Sequence, residues 1–249
     1  MYCLPYIRIE MKKILPAFIV LLLLSTSLFA QNEKAFELYG AGVRAFYAQD
    51  YKGALQKYNE ALVLKPDMVA ALYNRGLTYL KVDSIASAQA DFEKIMVIDT
   101  GYIDALYQIG KIQMDAKQYD KALIVFNDVV RRVPAHQKAL SGMGIIYYYK
   151  RKYKEAAECY TNIIAINPKD DDAWYKRGLM KMSESLYDAA ILDFTEAYKL
   201  NAENNMALDQ RANCYYKANN TEKACEDWKL LASKNYLRAQ ENIDKYCKH

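Results

Sequence analysis

The chain holds only two histidines, and that is the first limit on its chemistry. His136 lies between two apolar-periodic segments and His249 is the last residue. A serine or cysteine nucleophile needs a base within hydrogen-bond reach and a third group to orient that base, and neither histidine has such partners in the sequence. Metal ligation fails on the same ground, because no His or Cys pair stands at ligand spacing. Gly40-Ala41-Gly42 and Gly142-Met143-Gly144 look like fragments of phosphate loops. Both fall inside helical patterns, however, whereas a phosphate loop follows a strand. Asp170-Asp171-Asp172 offers clustered carboxylates at a helix start, where acidic groups favour the positive end of the dipole without doing chemistry. The expectation is that there is no enzyme here: no catalytic residues, no metal and no cofactor.

One charged pattern recurs. Arg75, Arg177 and Arg211 are each followed sixteen residues later by Asp91, Asp193 and Asp227. At the corresponding places elsewhere stand Ala41, Ile109 and Met143, followed by Lys57, Val125 and Cys159. Arginine and aspartate come together or not at all. A charged ligand site is one reading. The other, which the spacing supports, is a structural ion pair joining two helices, for which a planar guanidinium suits a carboxylate with two bonds.

The elements that must position these residues are legible from a fixed period. Gly42, Gly76, Gly110, Gly144, Gly178 and Ala212 sit 34 residues apart. Ala54, Ala88, Ala122, Ala156, Ala190 and Ala224 keep the same step, as do Tyr58, Phe92, Phe126, Tyr160, Phe194 and Trp228. Such a period marks stacked supersecondary units. In residues 137–170, Leu140, Met143, Gly144 and Tyr147 follow helical spacing, and so do Tyr153, Ala156, Tyr160, Ile163 and Ile164. Lys150-Arg151-Lys152 makes the turn between the two helices, and Pro168 ends the second. Small residues at Gly144 and Ala156 let the two helices approach.

These residues resemble the tetratricopeptide repeat, a family whose units carry a small residue at position 8, alanine at 20, an aromatic at 24 and proline at 32. The resemblance covers nearly all of the chain after residue 30. It implies an all-α, right-handed superhelix of six stacked helix hairpins (residues 35–68, 69–102, 103–136, 137–170, 171–204 and 205–238) within a repeat domain over 31–238. A capping helix over 239–249 would cover the last apolar face, with Ala239, Ile243 and Tyr246 inward.

Before the repeats, Lys12 and Lys13 precede an apolar run from Ile14 to Leu24 and then Ser25 to Ala30. That is the order of a secretory signal, expected over 1–30 with Met11 as a candidate initiator. An eleven-residue run is short against the ~20 residues that cross a bilayer, so no integral span is expected in the mature chain. An exported protein, periplasmic or secreted, is the expectation. Of the formal +4 charge, the leader holds a net +2, and both signs are mixed along every repeat. No basic stripe invites nucleic acid.

Export makes disulfides possible among Cys159, Cys214, Cys225 and Cys247. A Cys225–Cys247 bond would fasten the cap to the last repeat helix; Cys214–Cys225 is the rival pairing.

The family resemblance also implies a concave groove lined by positions 2, 5, 9, 12 and 13. Position 5 carries Tyr39, Tyr73, Tyr107 and Tyr175, with Ser141 and Asp209 in the other units. Tyr47, Tyr148, Tyr149 and Tyr216 add to the expected groove, with Phe46, Leu77, Leu80, Ile145 and Leu179 between. Tyrosine joins an apolar body to a hydroxyl tip and is enriched in binding surfaces. The family's carboxylate clamp is not carried over, because Tyr39 and Val43 stand where a basic residue and an asparagine are needed. The expected role is a non-catalytic scaffold that binds a peptide segment of a protein partner in this groove. A structural part in an envelope assembly complex and a glycan-binding groove are the alternatives.

Overall fold

The computed structural model describes the backbone of residues 11–247 and the side chains of residues 29–247. Most of the side chains of the expected leader, and His249, lie outside the described residues. Among the described residues the chain is all-α, with thirteen helices paired in chain order as six hairpins and a cap. The hairpins are α1 (Met11–Tyr47) with α2 (Tyr51–Leu64), α3 (Val69–Lys81) with α4 (Ile85–Ile98), and α5 (Ile103–Asp115) with α6 (Tyr119–Arg132). Then follow α7 (Gln137–Tyr149) with α8 (Tyr153–Ile166), α9 (Asp171–Ser183) with α10 (Tyr187–Leu200), and α11 (Asn205–Lys217) with α12 (Thr221–Ser233). The cap is α13 (Leu237–Tyr246). No described helix is long and apolar enough to cross a membrane.

The turn inside each hairpin rests on one left-handed residue. Gln49, Asp83, Lys117, Arg151, Ser185 and Asn219 have φ between 56° and 62°, and Asn235 repeats the geometry before the cap. None is glycine, although that region disfavours side chains. The tight turn forces the geometry, because the next residue's amide bonds back to the preceding helix, as Ser84 N does to the Tyr79 carbonyl. Several helix starts are closed by side chains: Asp50, His136, Asp170, Asn204 and Asn220 each accept from a backbone amide three residues on.

The chain divides into two compact units, one ending at Gln108 and the other beginning at Ile109. In the first, the rings of Tyr58 and Phe92 are buried among Leu72, Ala88 and Ile95. Gly76 is what allows this closeness, since a Cβ there would stand 2.8 Å from the Phe92 ring. The second unit repeats the arrangement with Phe126, Tyr160, Phe194 and Trp228, all buried, and ends in a cluster where Leu208, Leu231 and Trp228 meet Ala239 of the cap.

Polar ties reinforce the hairpins. Arg75 donates from Nε and Nη2 to both oxygens of Asp91, at 2.8 and 2.5 Å, and from Nη1 to Asn59 Oδ1 on the preceding hairpin at 2.7 Å. Arg177 grips Asp193 in the same way and reaches Thr161, while Arg211 grips Asp227 and reaches Thr195. Each guanidinium therefore joins its own hairpin and holds the one before it. Arg177 also lies 4.6 Å from the Trp174 ring centroid. A disulfide joins Cys225 on α12 to Cys247 just beyond α13.

Candidate functional site

The residues that first suggested chemistry have structural roles. His136 accepts from the Ala139 amide through Nδ1 at 3.1 Å and so closes the start of α7. The Asp170–Asp172 cluster is divided three ways. Asp170 caps Ala173, Asp171 accepts from Asn201 and Asn204, and Asp172 pairs with Lys176 at 2.7 Å. Cys159 and Cys214 are buried free thiols, and burial pushes them up to about 11 and about 12, away from thiolate reactivity. Among the described residues no three His, Cys, Asp or Glu side chains gather in a way that would hold a metal.

An open, largely apolar groove lies in the second unit. Ile145, Tyr148 and Tyr149 of α7 form one wall, and Lys176, Leu179, Met180 and Met182 of α9 form the other, with Tyr160 of α8 between them. Its volume is about 430 Å³. Tyr148 and Tyr149 are 46% and 63% exposed. Tyr149 stacks on Tyr119, and Tyr148 leans on Tyr149 and Tyr153, so the two rings are held in place while much of their surface stays open to a ligand. Lys176 is the one charged side chain in the lining, and its ammonium is already engaged by Asp172. Methionines at 180 and 182 add unbranched, polarisable side chains that can repack around a ligand.

The structure separates the residues expected along the groove. Ile145, Tyr148, Tyr149 and Leu179 line it. Tyr39, Tyr73 and Tyr175 are half-buried, each tilted against a ring on the second helix of its own hairpin: Tyr58 at 6.1 Å, Phe92 at 5.7 Å and Phe194 at 5.8 Å. The Tyr39 hydroxyl accepts from Asn74 Nδ2 at 2.9 Å, and Tyr73 shares a hydrogen bond with Gln108. Burial pushes the Tyr73 and Tyr175 hydroxyls up from the ordinary phenol value. These tyrosines are mortar between neighbouring helices, so truncating Tyr73 removes packing as well as surface. Tyr107 and Leu77 are likewise half-buried, while Tyr47 is exposed at the end of α1. Tyr216 is taken by the cap, its ring 4.3 Å from that of Tyr246. Tyr160, Lys176, Met180, Met182 and Ser183 were missed. Met182 and Ser183 occupy positions 12 and 13, which point into the groove in this family, but neither is the aromatic or aliphatic residue by which the groove is recognised in the sequence.

Sequence comparison settles what these hairpins are. Family models described as TPR repeat match residues 44–83, and those described as tetratricopeptide repeat match 104–136, 138–170 and 206–235. The chain is a tetratricopeptide repeat protein. No curated protein matches it. Solved structures share its fold at low identity. A tetratricopeptide repeat protein from Parabacteroides merdae gives a TM-score of 0.67 at 19% identity, over 81% of this chain and 80% of that one. The pilF protein of Pseudomonas aeruginosa gives 0.67 at 14% identity, over 86% and 99%. YrrB, described as a TPR protein with an unusual peptide-binding site, gives 0.60 at 20% identity, over 74% and 95%. Tetratricopeptide repeats are scaffolds for protein–protein interaction, typically without catalysis.

Position 5 of this repeat protein departs from tyrosine at Asp209 as well as Ser141. Asp209 is 1% exposed, and its Oδ1 has no hydrogen-bond partner. Its Oδ2 takes only long bonds from Gln210 and Asn213, at 3.3 and 3.4 Å. Burial raises its carboxyl above the usual range, against the partial offset of Arg238 and the Asn213 bond. The folded state thus holds this proton to higher pH than the unfolded chain does. Stability attributable to Asp209 is full below the unfolded value of about 3.9 and is lost as pH rises through the folded one. Asp209→Asn should therefore raise the melting temperature at pH 7, with the gain shrinking as pH falls through the raised folded value and no longer changing below about 4. Parallel thermal melts across pH check it, and a gain of constant size at every pH would refute the titration.

Proposed function

We propose that this protein is an exported scaffold that binds a peptide segment of a partner protein along the groove between α7 and α9. The observation carrying the reading is that groove: an apolar cleft whose exposed rings, Tyr148 and Tyr149, flank flexible methionines and a single, already paired cation. That lining suits an apolar or aromatic segment more than an anionic ligand. The peptide-binding site named for YrrB supports it as a parallel within the same fold. Export is supported by the leader-like order of residues 12–30 and by a disulfide, which persists in oxidising compartments.

The test is partner capture from envelope extract, identified by mass spectrometry and repeated with the identified segment. Tyr148→Ala with Leu179→Ala should weaken binding by about 2 kcal/mol or more, the usual scale for an interface hot spot. Melting should move little for Tyr148→Ala alone, because that ring is nearly half exposed, and this single variant should already weaken capture. Leu179→Ala also trims packing on two core clusters, so its melting shift is read separately. Binding should also change little between low and high salt, since screening acts on charges and the lining has few. Undiminished capture by the double variant would place the partner on another surface.

A further inference from the structure

Hairpin four carries Ser141 where hairpins one, two, three and five carry tyrosine, and the space left there is open. A pocket of about 160 Å³ is bounded by Ser141, Tyr160, Ile163, Asp170 and Asp172. A cavity of about 150 Å³ is enough to take a benzene ring.

The neighbours of Tyr73 show what belongs in this space. Tyr73 packs on Phe92 at 5.7 Å and Tyr102 at 5.5 Å, shares a hydrogen bond with Gln108 and feels the charge of Asp104. Advancing each of those four positions by two repeats gives Tyr160, Asp170, Lys176 and Asp172. Three of them line the pocket, and the fourth, Lys176, is held at its edge by Asp172 at 2.7 Å with its ammonium 6.0 Å from the Tyr160 ring centroid. The open space is therefore the seat of the missing tyrosine. It keeps an aromatic wall, and it keeps a side-chain donor at the position from which Asn74 donates to the Tyr39 hydroxyl. Tyr160 also borders the larger groove, so the seat opens beside it.

We propose that this seat receives a tyrosine side chain from the bound peptide, its ring against Tyr160 and its hydroxyl accepting a hydrogen bond from Lys176. This rests on the peptide-binding reading for its biological ligand, but the seat is tested alone with p-cresol, which is the tyrosine side chain as a free molecule. The full chain, isotope-labelled, is titrated with p-cresol and in parallel with toluene, and amide shifts are followed by NMR. The expected result is saturable binding of p-cresol, on the order of 1 mM, with shifts centred on Gly142, Gly144, Ala173 and Lys176. Ser141→Tyr fills the seat from within; it should abolish these shifts and raise the melting temperature. Lys176→Met, which leaves the pocket wall in place, should reduce p-cresol affinity to that of toluene.

Absence of saturable p-cresol shifts in the natural chain overturns the proposal. So does p-cresol binding that survives Ser141→Tyr, or equal affinity for toluene and p-cresol, which would make the seat a nonspecific apolar hollow. Should Ser141→Tyr not fold, Lys176→Met still decides the hydroxyl contact. Loss of the Tyr148 and Leu179 effect on capture, with p-cresol binding intact, would count against the groove and not against the seat.

Discussion

Arg75→Leu should lower stability by about 3 kcal/mol, the scale for removing one partner of a buried pair. What is lost is more than the attraction. Asp91 is left with a charge in a site where its side chain is 7% exposed, far from the water that would solvate it. Arg75 also ties Asn59 of the preceding hairpin, so the change loosens two hairpins within the first unit. Adding Asp91→Val removes the stranded charge, and the double variant should recover most of the loss. Hairpin three already runs on that exchange, with Ile109 and Val125 in the two places, both in a buried or half-buried setting. The three pairs are not equivalent, however. Asp193 has a second cation, Lys181, at 2.8 Å. Arg177→Leu should therefore cost clearly less than Arg75→Leu, because Asp193 keeps a partner. Urea midpoints for the three variants and the parent decide it. If Arg75→Leu with Asp91→Val is no more stable than Arg75→Leu alone, or if Arg177→Leu proves the costlier single change, the account of these pairs fails.

The fold was legible because it repeats. A period of 34 residues states the helix pair six times, and small residues at Gly76 or Ala88 report directly on how closely two helices must pack. The Arg–Asp pattern was legible for the same reason, since joint presence or absence across six copies exposes a coupling that a single copy would hide. The site was harder to read. Tyr73 and Tyr148 are the same residue type in groove-facing positions and each touches two rings, yet Tyr73 is half-buried between its neighbours and Tyr148 stands nearly half exposed. Periodicity gives the direction of a side chain but not whether the next helix has already used its surface. Ser141 illustrates the converse. Its importance lies in a missing ring, and an absence gains meaning only when the neighbours of the other copies are known. The left-handed turn residues carried no composition signal either, because Gln49, Lys117 and Arg151 are not residues that announce such a turn.

Removing the Cys225–Cys247 bond should cost about 3 kcal/mol in the chain-entropy account, for a loop closed over a sequence separation of 22. The loss should fall first on the cap. Helix α13 is ten residues long and buries only Ala239 fully, too little to hold it strongly without a covalent tie. Its other contacts include Ile243 on the same cluster and Tyr246 on Tyr216 at 4.3 Å and on Trp228 at 5.7 Å. When the cap frays, those rings and the buried Leu231 meet water, and the apolar end of the last hairpin is exposed. Trp228 sits under the cap, whereas Trp174 lies on α9 and donates to the Pro168 carbonyl, so the two tryptophans report on different places. Cys225→Ala with Cys247→Ala should shift Trp228 fluorescence to the red in urea well before the rest of the helical signal is lost. With Trp174→Phe as background the change should persist, and with Trp228→Phe it should vanish. Peptide mapping without reductant must also find 225 and 247 joined in protein recovered from an oxidising compartment. Two free thiols there, or a double variant that melts with the parent, would show that packing alone holds the cap.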